Sequence, residues 1–269
     1  MQHAFNERRF VHRGAQLALE VSGEGEGPFA VYAHGGFVSR AVEDRMGLFD
    51  WRPVLDAGRR LVRYDARGHG RSTGGAVDGD YTYASLAGDL LALLDHLGPV
   101  EPVAAMGASM GCGTVLHAAT RASDRFSRLV LLLPPTAWDT RTAYARNNLR
   151  SAERIAHEGA EAWAAERRRR KGPAVVADVP AFPPTPVDAV LPSVLRGLAQ
   201  TDLPAPGAIA SLLQPVLILT WADDPGHPLS TAETLHHLLP HSELHVSRTR
   251  KDVRTWGQRI ATYLTAGPA

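Results

Sequence analysis

Gly107-Ala108-Ser109-Met110-Gly111 follows a short apolar run, Val103-Ala104-Ala105-Met106. The pentapeptide has the form G-x-S-x-G, directly after a stretch that reads as a buried strand. Here a strand must turn sharply into a helix with Ser109 at the apex, in a strained conformation. Glycines two residues before and two residues after the serine let strand and helix approach closely. The hydroxyl then projects from the carboxyl end of the sheet. The next backbone N–H, on Met110, points to the same place and can bind a developing oxyanion.

Outward from this point, short apolar runs alternate with helical patterns. Phe10-Val11-His12 and Gln16 to Val21 read as strands, and Gly23 to Pro28 as a turn cluster. Phe29 to Ala33 is a buried strand ending at His34-Gly35-Gly36. Trp51 to Ala57 reads as a short helix, and Leu61 to Tyr64 as the next strand, leading into Asp65 to Ser72. Thr82 to Leu97 carries Leu86, Leu90, Leu91 and Leu94 at helical spacing. Met110 to about Ala122 is a helix, and Leu129 to Leu133 another all-apolar strand. After a long gap the pattern resumes with a strand at Val216 to Trp221 and a helix at Ser230 to Leu239. A strand at Leu244 to Val246 and a helix at Val253 to Leu264 complete it. Apolar strands alternating with helices imply a parallel sheet covered on both faces.

The gap, residues 134–213, has no strand pattern. It holds helix-like stretches at Ala143 to His157, Glu161 to Arg170 and Val187 to Leu198, and a proline-rich run from Val179 to Pro186. It reads as a helical insertion, a cap or lid, dividing the core into residues 1–133 and 214–269.

The 269 residues are 44% apolar with a net charge of +1. That suits one sizeable α/β domain, and no global field favours nucleic acid or an anionic membrane. The basic run Arg167 to Lys171 reads as a solvated helix face. Cys112 is the only cysteine, which excludes an internal disulfide, and it reads as a small buried residue. Met1 to Arg13 lacks the apolar core of a signal peptide, and Leu129 to Leu133 is too short to span a bilayer. The expectation is a soluble, cytoplasmic protein acting on a small molecule, without a nucleic-acid or membrane partner. No cluster shows metal-ligand spacing, so no metal or cofactor is implied.

The ordered set resembles the α/β-hydrolase superfamily, over nearly the whole chain. His34-Gly35-Gly36 looks like the oxyanion loop after the third strand. Asp65 to Ser72 is similar to the D-x-R-G-x-G-x-S loop after the fourth. Gly107 to Gly111 matches the nucleophile elbow after the fifth, and Asp224-Pro225-Gly226-His227-Pro228 the acid loop after the seventh. The resemblance implies an eight-stranded, mostly parallel sheet flanked by helices, with a helical lid after the sixth strand. It also implies Ser109 as nucleophile, Asp224 as acid, and the amides of Gly36 and Met110 as oxyanion hole. Asp223 is the rival acid, although the proline after Asp224 favours Asp224. The loop from Asp65 to Ser72 is expected to be structural.

A serine needs a base of near-neutral pKa, and histidine, at about 6.5, supplies one. In this superfamily the base normally follows the eighth strand, but here that loop, Ser247 to Asp252, contains no histidine. Catalytic groups gather at carboxyl strand ends. That sets aside His3, His12, His96, His117, His236, His237, His241 and His245. His157 would reach the site only from the insertion. His34, His69 and His227 remain. His34 starts the oxyanion loop, where a structural histidine is common, and His69 lies in a tight loop. His227, three residues after Asp224, is the best-placed base. The competing reading is a histidine that only decorates the turn before Pro228.

The function expected is hydrolysis of a small ester, lactone or thioester through an acyl-enzyme. The alternatives are a non-hydrolytic enzyme of the same fold (cyclisation, lyase or acyl transfer) and a ligand-binding pseudoenzyme. Epoxide hydrolase and dehalogenase chemistry would need aspartate at the apex. Trp138, Trp163 and Phe182 are candidate pocket linings, although aromatics in short helices more often pack a lid onto its core.

Overall fold

The computed structural model of the protein describes residues 7–169, 172–180, 182–186 and 188–267. Residues 1–6, which include His3, and Arg170, Lys171, Ala181 and Val187 lie outside these. The strands are β1 (Arg8–His12), β2 (Ala15–Ser22), β3 (Phe29–Ala33), β4 (Arg60–Tyr64), β5 (Val103–Ala108), β6 (Phe126–Leu132), β7 (Val216–Trp221) and β8 (Ser242–Ser247). They form one sheet in the order β1-β2-β4-β3-β5-β6-β7-β8. The two pairings of β2 are antiparallel, and every other pairing is parallel.

Both faces of the central strands are buried, as their unbroken apolar runs require. Val103 and Ala105 of β5 join Leu129 and Leu131 of β6 in one hydrophobic cluster. Ala104, Met106, Val130 and Leu132 point the other way into a second. The helices that supply the covering are α1 (Arg40–Met46), α2 (Arg52–Asp56), α3 (Tyr83–Leu97), α4 (Met110–Arg121), α5 (Arg141–Glu158), α6 (Ala160–Arg169), α7 (Leu191–Ala199), α8 (Pro206–Ala210), α9 (Leu229–Leu238), α10 (Arg250–Arg254) and α11 (Trp256–Thr265). Residues from α3, α4, α7 and α9 pack in the first cluster, and Val54 of α2 with Trp256, Ile260 and Leu264 of α11 in the second. Among the described residues no helix is long and apolar enough to cross a membrane.

The elements that differ from the sequence reading include α8, which was not expected. α1 was not expected, although Ser39 caps its start through the Val42 amide and left-handed Gly47 closes it. The helix expected from Val187 starts at Leu191, with Pro192 in its first turn, where a missing N–H costs nothing. The final helix is two, separated at Thr255. The break brings Gly257 so close to Asp50 that a Cβ there would lie 2.1 Å from the Asp50 carbonyl oxygen. Among the described residues, the connection from β6 to β7 contains helices and no strand.

The D-x-R-G loop is a scaffold. Asp65, buried, accepts from the Arg40 and Arg71 amides, each at 3.0 Å. Arg67 and Asp89, both 1% exposed, form a paired ion bridge at 2.7 and 3.0 Å. Ser72 links the Ala18 amide to the Asp65 carbonyl.

The turn from β5 into α4 is among the tightest contacts in the fold. A Cβ on Gly107 would lie 2.2 Å from the Gly111 carbonyl oxygen, and one on Gly111 2.0 Å from the Ala33 carbonyl oxygen. These partners are backbone, so neither can yield without moving β3, β5 or α4. Gly107→Ala and Gly111→Ala are each expected to destabilise the protein by about 2–3 kcal/mol. Urea melts of the variants would measure this, and a loss below about 0.5 kcal/mol would contradict the packing.

Candidate active site

Ser109 sits at φ 51°, ψ −109°, a strained conformation for a residue with a Cβ. Its amide donates to the Leu132 carbonyl at 3.0 Å, and its carbonyl accepts from Cys112 at 2.9 Å. These bonds hold the apex between β5 and α4. Cys112 is fully buried, its thiol donating to the Gly107 and Leu132 carbonyls; burial pushes its pKa up, so it stays a neutral thiol.

The loop after β7 folds back on itself. Asp224 Oδ1 accepts from the Gly226 amide at 2.9 Å, and the Asp224 carbonyl from the His227 amide at 3.1 Å. The Thr136 amide donates to the Gly226 carbonyl at 3.2 Å, which ties the loop to the exit of β6. The turn puts His227 Nδ1 2.8 Å from Asp224 Oδ2 and His227 Nε2 2.8 Å from Ser109 Oγ. A carboxylate opposite Nδ1 requires the proton on that nitrogen, which leaves Nε2 free to accept from the serine hydroxyl.

Asp224 also accepts from Trp221 Nε1 at 2.9 Å. Burial alone would raise its pKa. The hydrogen bond and charge of His227, with the Trp221 and Gly226 donors, outweigh burial and bring it down to about 2. Asp224 is therefore a carboxylate at any working pH. Asp223 is exposed, at φ 62°, and has no contact with His227; Asp224 alone of the two aspartates meets the imidazole. Trp221, at the end of β7, was not singled out from the sequence, although an indole three residues before an acid was a readable signal.

Gly36 and Met110 lie side by side next to Ser109. A Cβ on Gly36 would be 3.8 Å from Met110 Cβ, and one on Gly35 3.7 Å from Ser109 Cβ. Met110 is the first residue of α4, where amides lack intrahelical partners and the helix dipole is positive. Neither the Gly36 nor the Met110 amide donates to another protein group among the described residues.

His34 and His69 do not meet Ser109. His34 Nδ1 donates to the Gly35 carbonyl at 2.7 Å and Nε2 accepts from the Ala66 amide at 2.8 Å, so both nitrogens fasten the loop. Burial lowers its pKa, and that of His69 to about 3. His157 is exposed on α5. At the end of β8, Thr249 and Asp252 form a capping box that starts α10, and Ser247 Oγ accepts from Trp256 Nε1 at 2.8 Å.

A cavity of about 620 Å³ opens beside Ser109 and His227. Trp163 lines it, but Trp138 and Phe182 do not. Trp138 Nε1 donates to the Pro204 carbonyl at 3.3 Å, and the Phe182 ring lies under Arg45. Arg167 is exposed, as expected of the basic run, and it also lines the cavity and lies over the Phe37 and Trp163 rings. Arg168, outside the cavity, pairs with Glu161 at 2.6 Å. Phe37, at φ 65°, is further held by Thr185, whose amide donates to the Phe37 carbonyl at 3.0 Å and whose hydroxyl donates to the Val38 carbonyl at 2.6 Å.

A family model described as the alpha/beta hydrolase fold matches residues 31–249. A Klebsiella pneumoniae protein named as a carbamate hydrolase, RutD, is 29% identical over 203 residues, 71% of this chain and 74% of its own. An epoxide hydrolase of Caballeronia sordidicola is 31% identical over 123 residues, 44% of this chain and 35% of its own. The enol-lactonase of Burkholderia xenovorans LB400 superposes with a TM-score of 0.76 at 22% identity, over 96% of this chain and all of that one.

Beneath the His34–Gly36 loop lies Glu43, 5% exposed. Its Oε1 accepts from the Tyr32 hydroxyl at 3.0 Å and the Gly35 amide at 3.4 Å, while Oε2 has no partner. Burial raises its pKa from 4.5 to about 8, against the lowering pull of these donors and Arg63. The folded protein keeps a proton here that the unfolded chain releases near 4.5. Stability must therefore fall as pH rises from about 4.5 to about 8. Glu43→Gln, which stays neutral, removes this slope. Denaturant melts at pH 5 and pH 8 should show the native protein losing on the order of 3 kcal/mol relative to the variant. Parallel behaviour of the two proteins would contradict a buried neutral acid.

Proposed function

The chain belongs to the α/β-hydrolase family, and on that premise we propose that it is a serine hydrolase of a small ester, lactone or thioester. The observation that carries the proposal is the unbroken line of hydrogen bonds from Ser109 Oγ through His227 to Asp224, each 2.8 Å long. The non-hydrolytic alternatives drew on the lack of a base after β8, and His227 supplies one within reach of the serine.

In the proposed reaction Ser109 Oγ attacks the substrate carbonyl while His227 Nε2 takes its proton. Asp224 fixes the imidazole tautomer and stabilises the imidazolium that forms. The carbonyl oxygen gains negative charge and is met by the Gly36 and Met110 amides, which have no competing protein partner. The imidazolium returns its proton to the leaving alkoxide or thiolate. Water then attacks the acyl-enzyme while His227 accepts its proton, and the acyl–Oγ bond breaks as the imidazolium returns that proton to Ser109 Oγ. The carbamate hydrolase and enol-lactonase names of similar proteins fit attack on a carbonyl. The apex serine does not suit the aspartate-dependent chemistry of epoxide hydrolases.

The connection from β6 to β7, residues 134–213, is read as the lid over this site. Its α5 and α6 line the cavity, and Thr185 ties it to the oxyanion loop.

A fluorophosphonate probe should label Ser109 and no other residue, the adduct being located by peptide mass spectrometry. Ser109→Ala should abolish labelling. His227→Ala should lower kcat/KM for a short p-nitrophenyl ester by about 10³-fold with the fold intact. An unlabelled native protein, or full turnover by His227→Ala, would refute the assignment.

A further inference from the structure

Phe37 directly follows Gly36, and its backbone stands at φ 65°. Residues with a Cβ occupy this left-handed region only at a cost, so the surroundings must hold them there. Rotation about this bond turns the Gly36–Phe37 peptide. With the chain after Phe37 fixed, a relaxed Phe37 would carry Gly36 away from Met110 and Ser109.

The core secures the loop on either side of this point. His34 bonds the Gly35 carbonyl and the Ala66 amide, and the Arg40 amide donates to Asp65 at 3.0 Å. Between these anchors, among the described residues, the main chain of Gly36, Phe37 and Val38 makes no hydrogen bond to the sheet or to the helices that cover it. Its bonds come from Thr185 instead. The Thr185 amide donates to the Phe37 carbonyl at 3.0 Å and the hydroxyl to the Val38 carbonyl at 2.6 Å.

The same stretch of chain also holds the Phe37 ring. Trp163 of α6 meets it edge-on at 5.6 Å, and the Arg167 guanidinium lies 4.9 Å over it. The ring is buried, while Thr185 itself does not line the cavity. An effect of Thr185 on a reaction at Ser109 must therefore pass through the loop and not through contact with substrate.

We propose that Thr185 is a positioning residue, whose two bonds hold Phe37 in the left-handed conformation and so keep the Gly36 amide aimed at the oxygen of the carbonyl that Ser109 attacks. This rests on the reading of Ser109 as nucleophile and of Gly36 as an oxyanion donor. An amide at this place is available from any residue except proline, but the second bond needs a hydroxyl. Unseating Thr185 dismantles one half of the oxyanion hole, so carbonyl activation is confined to the site with this segment in place.

Thr185→Val keeps the shape and removes the hydroxyl, and Thr185→Ser keeps the hydroxyl and removes only a methyl group. Thr185 is half-buried, and neither change threatens folding. With a short p-nitrophenyl ester, Thr185→Val should lower kcat about tenfold at unchanged KM. That is a smaller loss than the roughly 10²–10³-fold of removing an oxyanion donor outright. A trifluoromethyl ketone, whose adduct with Ser109 places an oxyanion at Gly36, should bind about tenfold more weakly. Thr185→Ser should retain native values of both. A structural role alone would lower the melting temperature and leave kcat and inhibitor binding unmoved. In protein carrying isotopically labelled glycine, the Gly36 amide resonance should be displaced or broadened in Thr185→Val and native in Thr185→Ser, whether or not Ser109 reacts. Native kinetics or an unmoved Gly36 resonance in Thr185→Val, or no recovery in Thr185→Ser, overturns the proposal. A native protein that neither turns over the ester nor takes the fluorophosphonate would instead overturn the hydrolase reading, and the Gly36 resonance alone then decides whether Thr185 holds the loop.

Discussion

The structure depends on one steric constraint, the absence of side chains at Gly107 and Gly111. Backbone oxygens occupy the space where a Cβ would sit at either residue. Only because both spaces are empty can α4 start directly over the ends of β3 and β5. That start holds Ser109 at a positive φ and sets the Met110 amide beside Gly36. The strain at Ser109 is borne by the flanking backbone bonds to Leu132 and Cys112. The Ser109 hydroxyl is thus positioned by packing of main chain, which side-chain motion cannot relax.

The second arrangement is local in sequence. An imidazole three residues from its carboxylate meets it because the Asp224 turn is closed by the Gly226 and His227 amides. Placed there, His227 bridges to Ser109 without help from the loop after β8. That loop is instead committed to starting α10 and seating Trp256. Asp224 and His227 therefore share one short turn, fastened to the exit of β6 through Thr136.

Much of this was legible in the chain. Apolar runs located the central strands closely, because a strand buried on both faces has no polar positions to blur it. Setting aside histidines away from carboxyl strand ends left His34, His69 and His227, and the three-residue spacing from Asp224 pointed to His227, against the reading of a histidine that only decorates the turn. Other features were not legible. α1 is short and four of its seven residues are charged, so its pattern is weak; only its caps mark it. Trp138 and Phe182 read as pocket aromatics, yet one bonds the Pro204 carbonyl and the other packs under Arg45, contacts that depend on tertiary geometry. The neutral state of Glu43 comes from enclosure by Tyr32 and the His34 loop, and nothing in its sequence neighbours announces it.

The contacts of Phe37 carry a consequence for how such a protein can diversify. Phe37 follows Gly36 and is gripped from outside the sheet by Trp163, Arg167 and Thr185. The stretch that shapes the cavity is thereby also the buttress of the Gly36 amide beside Ser109 and Met110. A relative's corresponding segment grafted here would import a new pocket and discard the buttress together. Lineages that exchange this segment must carry compensating changes at residue 37 or its neighbours, so the two regions are expected to be inherited as a matched pair.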